Sequence, residues 1–225
     1  MNILVIGEEP HYAAFLEKGG LNGHRVQQVI SLERTGSLAD YELVIDLNFD
    51  EHTERAGVYA RFPQVPVLAN IVRTSLSALM NDYAFEQGFS IIGCNWLPGF
   101  LTMSVMELSV MDDAQTTSMR NIMTVLGWEY EIVEDRVGLV TPRVICMIIN
   151  EAYMAAQEGT ASREDINTAM RLGTNYPMGP FEWCDKIGIR HVCGVLDAVY
   201  RATGNERYKI SALLAREAGM DVAVM

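Results

Sequence analysis

The sequence predicts an α/β fold, with a mainly parallel sheet in the N-terminal part of the chain and an all-helical C-terminal part. Three observations predict it. Short apolar runs alternate with helical stretches up to about residue 136, the pattern of a parallel sheet covered on both faces. From about Val137 the strand signal stops, and apolar residues recur at spacings of three and four. The 225 residues are 49% apolar, enough for one large domain or two small ones with real cores. Residues 1–136 and 137–225 are therefore expected as two domains, with the boundary near Asp135–Gly138.

Strands are expected at Asn2–Gly7, Arg25–Ile30, Leu43–Leu47, Val65–Ile71, Ser90–Asn95, Met106–Val110 and Glu129–Val133. Helices are expected between them at Pro10–Lys18, Phe49–Arg61, Leu76–Gln87 and Gln115–Leu126. Periodicity leaves open whether the later strands run antiparallel. The second part reads as helices at Val140–Glu158, Arg163–Leu172, Pro180–Thr203 and Tyr208–Ala218. Val144, Met147, Ile148, Ala152 and Ala155 form one apolar stripe. Ser162, with Asp165 three residues on, reads as an N-cap followed by a first-turn acid. Pro177 and Pro180 bracket Met178-Gly179, a turn that feeds the next helix at its tolerated first position.

Composition narrows the function. The formal net charge of -12 argues against nucleic acid and anionic membrane, whose phosphates would be repelled. No stretch is long and apolar enough to span a bilayer. The chain enters its first strand with no basic region before it and no cleavage site after it, so no signal peptide is expected. Cys94, Cys146, Cys184 and Cys193 form no C-x-x-C pair. No metal site is expected, and buried free thiols in a reducing cytoplasm are the simpler reading. Repeats and low-complexity tracts are absent from the sequence.

The chain opens as a strand, Gly7, and a helix starting near Pro10. A dinucleotide-binding βαβ unit would place G-x-G-x-x-G there, but the residues are G-E-E-P-H-Y. Gly7, Glu8 and Glu9 thus hold the cofactor-binding positions of a degenerate turn. A carboxylate ~4 Å from a phosphate costs about 4 kcal/mol at an effective dielectric of about 20, roughly a thousandfold in affinity. Pro10 removes a donor from the cradle. Either the chain's own acid fills the anion site, or the two acids simply complement the positive end of the helix. Both readings predict weak dinucleotide binding.

The segment EGTASREDINTAMRLGTNYPMGPFEWCDKIGI resembles the substrate-side helical domain of 3-hydroxyacyl-CoA dehydrogenases, of the 3-hydroxybutyryl-CoA dehydrogenase kind. AMRLGTNYPMGPFE is its most specific part. LVIDLN sits where that family has the strand after its first nucleotide unit, and RTSLS resembles its N-T-S-S-L turn. GCNWLPGFLTMSVMEL is similar to G-x-H-F-F-N-P-x-x-x-M-x-x-x-E without a gap, and GLVTPRV to G-F-x-x-N-R. The resemblance covers most of the chain. It implies a Rossmann-like N-terminal domain, here shortened, and a helical domain that mediates homodimerisation. It also implies acyl-CoA oxidoreduction with NAD.

The family's catalytic serine falls at Ser75, its glutamate at Glu107, its histidine at Asn95 and its substrate-side asparagine at Pro142. An amide cannot take the proton that hydride transfer from an alcohol releases, whereas imidazole can. His11 lies near the first turn, while His24, His52 and His191 lie in segments that do not approach Asn95 in the family's frame. All four read as surface or packed residues. The family's ribose-binding acid falls at or beside Ile30, with Glu33 as the nearest substitute. The segment SLERTGSLADYE is short where the family inserts a helical excursion. The chain stops at GMDVAVM, without the family's glycine- and lysine-rich tail.

These departures leave no cofactor expected, or NAD only if the family function is retained. Glu107 could pair with the Asn95 amide, or act as a base if buried. Arg73, beside Ser75, could bind a carboxylate or phosphate, or be a plain surface arginine. Trp96, Leu97 and Phe100 read as an apolar wall, more simply as core. Three readings stay open. The chain is a non-redox family member with an acyl-CoA or small-carboxylate pocket, an oxidoreductase with altered cofactor use and a displaced base, or a dimeric interaction module.

Overall fold

The computed structural model describes residues 1–83, 85 and 88–220. Two compact units divide at Leu139 and Val140. The first carries β1 (Asn2–Ile6), α1 (Glu9–Leu16), β2 (Arg25–Val29), β3 (Leu43–Asp46), α2 (Ala56–Tyr59), β4 (Val67–Asn70) and α3 (Leu76–Asp82). It continues through β5 (Ile91–Cys94), β6 (Val105–Ser109), α4 (Asp113–Leu126) and β7 (Glu129–Ile132). The seven strands lie in the order β2-β1-β3-β4-β5-β6-β7.

All pairs are parallel except β5 with β6. The exception has a local cause. Residues 95–104 join these two neighbours without a helix, and a parallel return needs a longer crossover. β6 and β7, which α4 connects, are parallel again. The chain leaves β1 toward β2 and returns to β3 on the other side of β1, so the order reverses there. In a Rossmann-like sheet this is the switch point, where ligands meet the carboxyl ends of the strands.

The sheet divides two cores by simple alternation. Ile3, Val5, Ile45, Leu68, Ile92, Leu108 and the inner face of α4 pack on one side with Phe15, Trp96 and Trp128. Leu4, Ile6, Val44, Val67, Ala69 and Ile91 pack on the other with Phe49, Tyr59, Leu76 and Leu79. Trp96 sits edge-on to Phe15 at 5.5 Å and to Trp128 at 6.0 Å, and its ring N–H donates to the Leu68 carbonyl at 3.1 Å. Trp96, Leu97 and Phe100 are buried.

Four expected elements change; the helix expected over Tyr208–Ala218 begins only at Ala212, after a 3₁₀ turn over Glu206–Tyr208. The helix expected over Phe49–Arg61 is two 3₁₀ turns, Phe49–Glu51 and Thr53–Arg55, followed by the four-residue α2. His52, at φ -140° and ψ 49°, interrupts it. The helix from Leu76 ends at Asp82, with Tyr83 extended; its expected end at residues 86–87 lies outside the described residues, as do residues 221–225 of the tail. In the second unit the single helix expected over Pro180–Thr203 is two, α7 (Pro180–Ile187) and α8 (Ile189–Thr203). Gly188 separates them at φ 92°, a conformation that glycine adopts without strain.

The rest of the second unit is α5 (Thr141–Gln157), α6 (Arg163–Thr174) and α9 (Ala212–Glu217). No strand occurs among its described residues. The buried stripe of α5 differs from the expected one. Cys146, Ile149, Asn150, Ala152 and Tyr153 are buried, while Val144 is 50% exposed. Asn150 goes inside because its amide is satisfied there: it donates to the Lys209 carbonyl at 2.9 Å and accepts the Ser211 N–H at 2.8 Å. The PMGP turn is held from both sides. Glu182 accepts the Gly179 N–H at 2.7 Å and pairs with Arg171 at 2.8 Å, and Asn167 accepts the Phe181 N–H at 3.0 Å. Ser162 caps α6 by accepting the Asp165 N–H at 3.1 Å.

Candidate functional site

The carboxyl ends of β1, β3, β4 and β5 gather most of the candidate residues. At β1 the connector to α1 is only Gly7 and Glu8. A Cβ on Gly7 would lie 2.9 Å from Leu47 Cδ1 and 3.3 Å from Leu47 Cβ. Leu47, fully buried just after β3, packs against Gly7 from the core that holds Ile3, Val5 and Phe15, so a side chain at position 7 would crowd it. Glu8 and Glu9 are exposed, and the Glu8 side chain makes no capping hydrogen bond. The chain's own acid does not occupy a seat here, and charge complementarity at the helix start is the reading that fits. The N–H groups of His11 and Tyr12 turn back to the Glu8 carbonyl at 3.1 and 2.9 Å, and Pro10 has none. Ile30, after β2, is 56% exposed, and Glu33 is exposed on a 3₁₀ turn.

An internal anion seat does exist, between β3 and β4. The Asp50 carboxylate accepts the Val72 N–H at 2.8 Å, the Arg73 N–H at 3.0 Å and the Asn70 amide at 3.3 Å. Its side chain is fully buried, with Arg73 Nε 4.0 Å away. Burial pushes this carboxyl up to about 7, against the pull of the two backbone N–H groups and Arg73. Deeper still, Asp46 is held by Arg55 at 2.9 Å and by the Tyr59 hydroxyl at 2.6 Å, and Arg55 also reaches Asn48 at 2.8 Å. Burial raises the Asp46 carboxyl, and the Arg55 guanidinium opposes the rise.

The expected catalytic positions fall as follows. Ser75 is the N-cap of α3, its hydroxyl accepting the Ala78 N–H at 3.2 Å. Asp135 shares that helix start, accepting the N–H groups of Leu76 and Ser77 at 2.7 and 2.8 Å and the Ser77 hydroxyl at 2.6 Å. Arg73 is not a plain surface arginine: it pairs with Glu51 at 3.0 Å as well as facing Asp50. The antiparallel register runs Gly93 to Ser109 and Cys94 to Leu108; Asn95 and Glu107 are the next residues beyond the last pair, with Asn95 already outside β5. The Asn95 amide oxygen turns back to the Leu97 N–H at 3.2 Å. Pro142 belongs to the second unit, buried in the first turn of α5.

One residue that the sequence reading had placed among ordinary surface or packed residues comes to this end of the sheet. The His11 ring, on α1, meets the Trp96 carbonyl at 2.6 Å, beside Asn95. A carbonyl only accepts, so Nε2 carries the hydrogen and Nδ1 is the basic atom of the neutral ring. Burial lowers the His11 pKa, while the Trp96 carbonyl and the negative charge of Glu51 oppose the drop. No local pattern could have revealed a contact across 85 positions.

The four cysteines are buried and free. Burial pushes their thiols up, that of Cys193 to about 12, so they stay protonated near neutrality. Among the described residues no group of three His, Cys, Asp or Glu is placed to hold a metal ion, and no helix is long and apolar enough to cross a membrane.

Residues 138–220 match the family model for the 3-hydroxyacyl-CoA dehydrogenase C-terminal domain. The chain is 43% identical over 86 residues to the 3-hydroxyadipyl-CoA dehydrogenase of Escherichia coli K12, a match that takes in 38% of this chain and 18% of that one. It is 34% identical over 184 residues to a probable 3-hydroxybutyryl-CoA dehydrogenase of Deinococcus radiodurans, covering 79% of this chain and 66% of the relative. The crystal structure of FadB2 from M. tuberculosis shares the fold at a TM-score of 0.79 and 18% identity, over 97% of this chain and 94% of that one.

Proposed function

Because the chain belongs to the 3-hydroxyacyl-CoA dehydrogenase family, we propose that it is a divergent member. In this reading it keeps acyl-CoA or small-carboxylate recognition and lacks NAD-dependent hydride transfer. The single observation that carries this is the turn after β1. Glu8 and Glu9 stand exposed at the helix start, Pro10 removes one first-turn donor, the His11 N–H turns back to the Glu8 carbonyl, and Leu47 packs against Gly7. A pyrophosphate needs glycine-lined space and the first-turn donors of the helix at this place, and a turn that carries two acids and a proline does not fit it. No step is therefore assigned to a nicotinamide. Asn95 in place of the family's histidine points the same way.

The test is a melting-temperature titration with NAD, NADH, CoA and acetoacetyl-CoA, each alone. A ligand at a hundred times its dissociation constant adds ~2.7 kcal/mol of stability. A shift with CoA or acetoacetyl-CoA and none with NAD or NADH is expected, together with no NADH oxidation by acetoacetyl-CoA. A shift with NADH, or turnover, overturns this reading in favour of an oxidoreductase with a displaced base.

A second feature favours self-association. Helix α6 has no buried residue, and its Leu172 is 81% exposed, so we propose a homodimer through the helical unit. Light scattering that returns a monomer mass would refute it. The four free thiols fit a reducing compartment such as the cytoplasm.

A further inference from the structure

We propose that His11 is the proton acceptor of a cofactor-free reaction at the carboxyl end of the sheet, the removal of an α-hydrogen from an acyl thioester. This rests on the acyl-CoA reading above. The observation is the seating of the imidazole. Its Nε2–H is fixed on the Trp96 carbonyl at 2.6 Å, which leaves Nδ1 as the basic atom. The ring reaches, from α1, the backbone next to Asn95, where the family's own histidine would stand.

Partial burial keeps the ring neutral and therefore ready to accept a proton, and Glu51, on the 3₁₀ turn after β3, favours the imidazolium once formed. Glu8 and Glu9 on the ring's own segment carry the same sign. Because the Asn95 amide oxygen is committed to Leu97, its orientation is set, and the amide N–H₂ is the face left for a developing enolate oxygen. The step balances without an electron acceptor. The Cα–H proton moves to Nδ1, the C–H electron pair becomes the Cα=C bond, and the thioester oxygen takes the negative charge. The imidazolium then returns a proton to the same carbon.

The experiment follows deuterium entry at C2 of butyryl-CoA in D₂O by NMR, alongside the melting shift with the same thioester. The wild-type chain is expected to exceed buffer by about a hundredfold or more, the contribution typical of a positioned base. In His11→Gln the amide N–H can still meet the Trp96 carbonyl but no base remains. The exchange is expected to vanish there while the melting shift persists. Exchange that survives in His11→Gln, or a melting shift without exchange in the wild type, overturns the role of His11 and leaves the ligand reading intact. No melting shift with butyryl-CoA or CoA overturns both. Should His11→Gln fail to fold, Glu51→Gln supplies the second reading. Its exchange profile should reach half-maximum at lower pH than wild type, and an unmoved midpoint overturns the proposal.

Discussion

The acids at the carboxyl end of the sheet are of two kinds. After β1, Glu8 and Glu9 stand in solvent without a capping bond. At the end of β3 and just after it, the side chains of Asp46 and Asp50 are fully buried. The residue types hardly differ; the supply of donors does. Asp46 has Arg55 and Tyr59, and Asp50 has two backbone N–H groups and the Asn70 amide. After β1, Pro10 supplies no donor and the His11 N–H turns back to the Glu8 carbonyl, so fewer N–H groups converge there. An anion seat in this sheet is thus built where N–H groups converge, and the chain fills it with its own carboxylate.

Breaking the buried side of that comparison should have the largest effect. Asp46→Ala strands the Arg55 guanidinium in the core, and a loss of about 3–5 kcal/mol is expected in urea unfolding. Asp50→Ala leaves the Val72 and Arg73 N–H groups without their acceptor, for about 1–3 kcal/mol. Asp50 also carries a pH signature. Its folded pKa, about 7, lies above the unfolded carboxylate value, so the folded state binds the proton more tightly. Its contribution to stability is complete below the unfolded pKa of roughly 4 and is lost as pH rises through about 7. Melting curves of Asp50→Asn should be flatter than wild type across that window, and parallel curves would sink the assignment.

Smaller effects sharpen the exposed side. Gly7→Ala presses a methyl group on Leu47 Cδ1, the tip of a side chain that can give way, so about 1 kcal/mol is expected, the low end for overpacking. Glu8→Gln and Glu9→Gln should each change stability by less than about 0.5 kcal/mol. The double variant should still show no melting shift with NADH, because Pro10 still lacks a donor and the second and third glycines of the family turn are still missing. A shift gained on neutralising the two acids would mean that charge alone had excluded the cofactor.

Much of the architecture was legible because it is local. Alternating strands and helices, the change of texture near Val137 and the PMGP turn all follow from spacing within a few residues. The Phe49–Arg61 helix was misread because apolar spacing says nothing of the His52 backbone, and the single helix over Pro180–Thr203 because an isolated glycine is often tolerated. The α5 stripe was misassigned for a related reason. Apolar counting treats Asn150 as a surface residue, while Lys209 and Ser211 give it a polar seat inside. At the site, Asn95 and Glu107 were placed by resemblance alone, and the paired β5–β6 register ends one residue short of them. His11 on Trp96 and Asp50 on Val72 are pairings of distant segments, which only the folded chain displays.

Asp135 joins two events that are far apart in time. The helix start at Leu76–Ser77 is completed by a carboxylate 59 positions downstream, and the Gly138 N–H then closes on the Val72 carbonyl at 2.6 Å. While the chain is being made, α3 and its Ser75 cap emerge from the ribosome long before Asp135 does. The Leu76 and Ser77 N–H groups of α3 therefore stay open to water until residues 135–138 have followed. The contacts that complete the first unit thus come from the residues that directly precede the helical one in the chain.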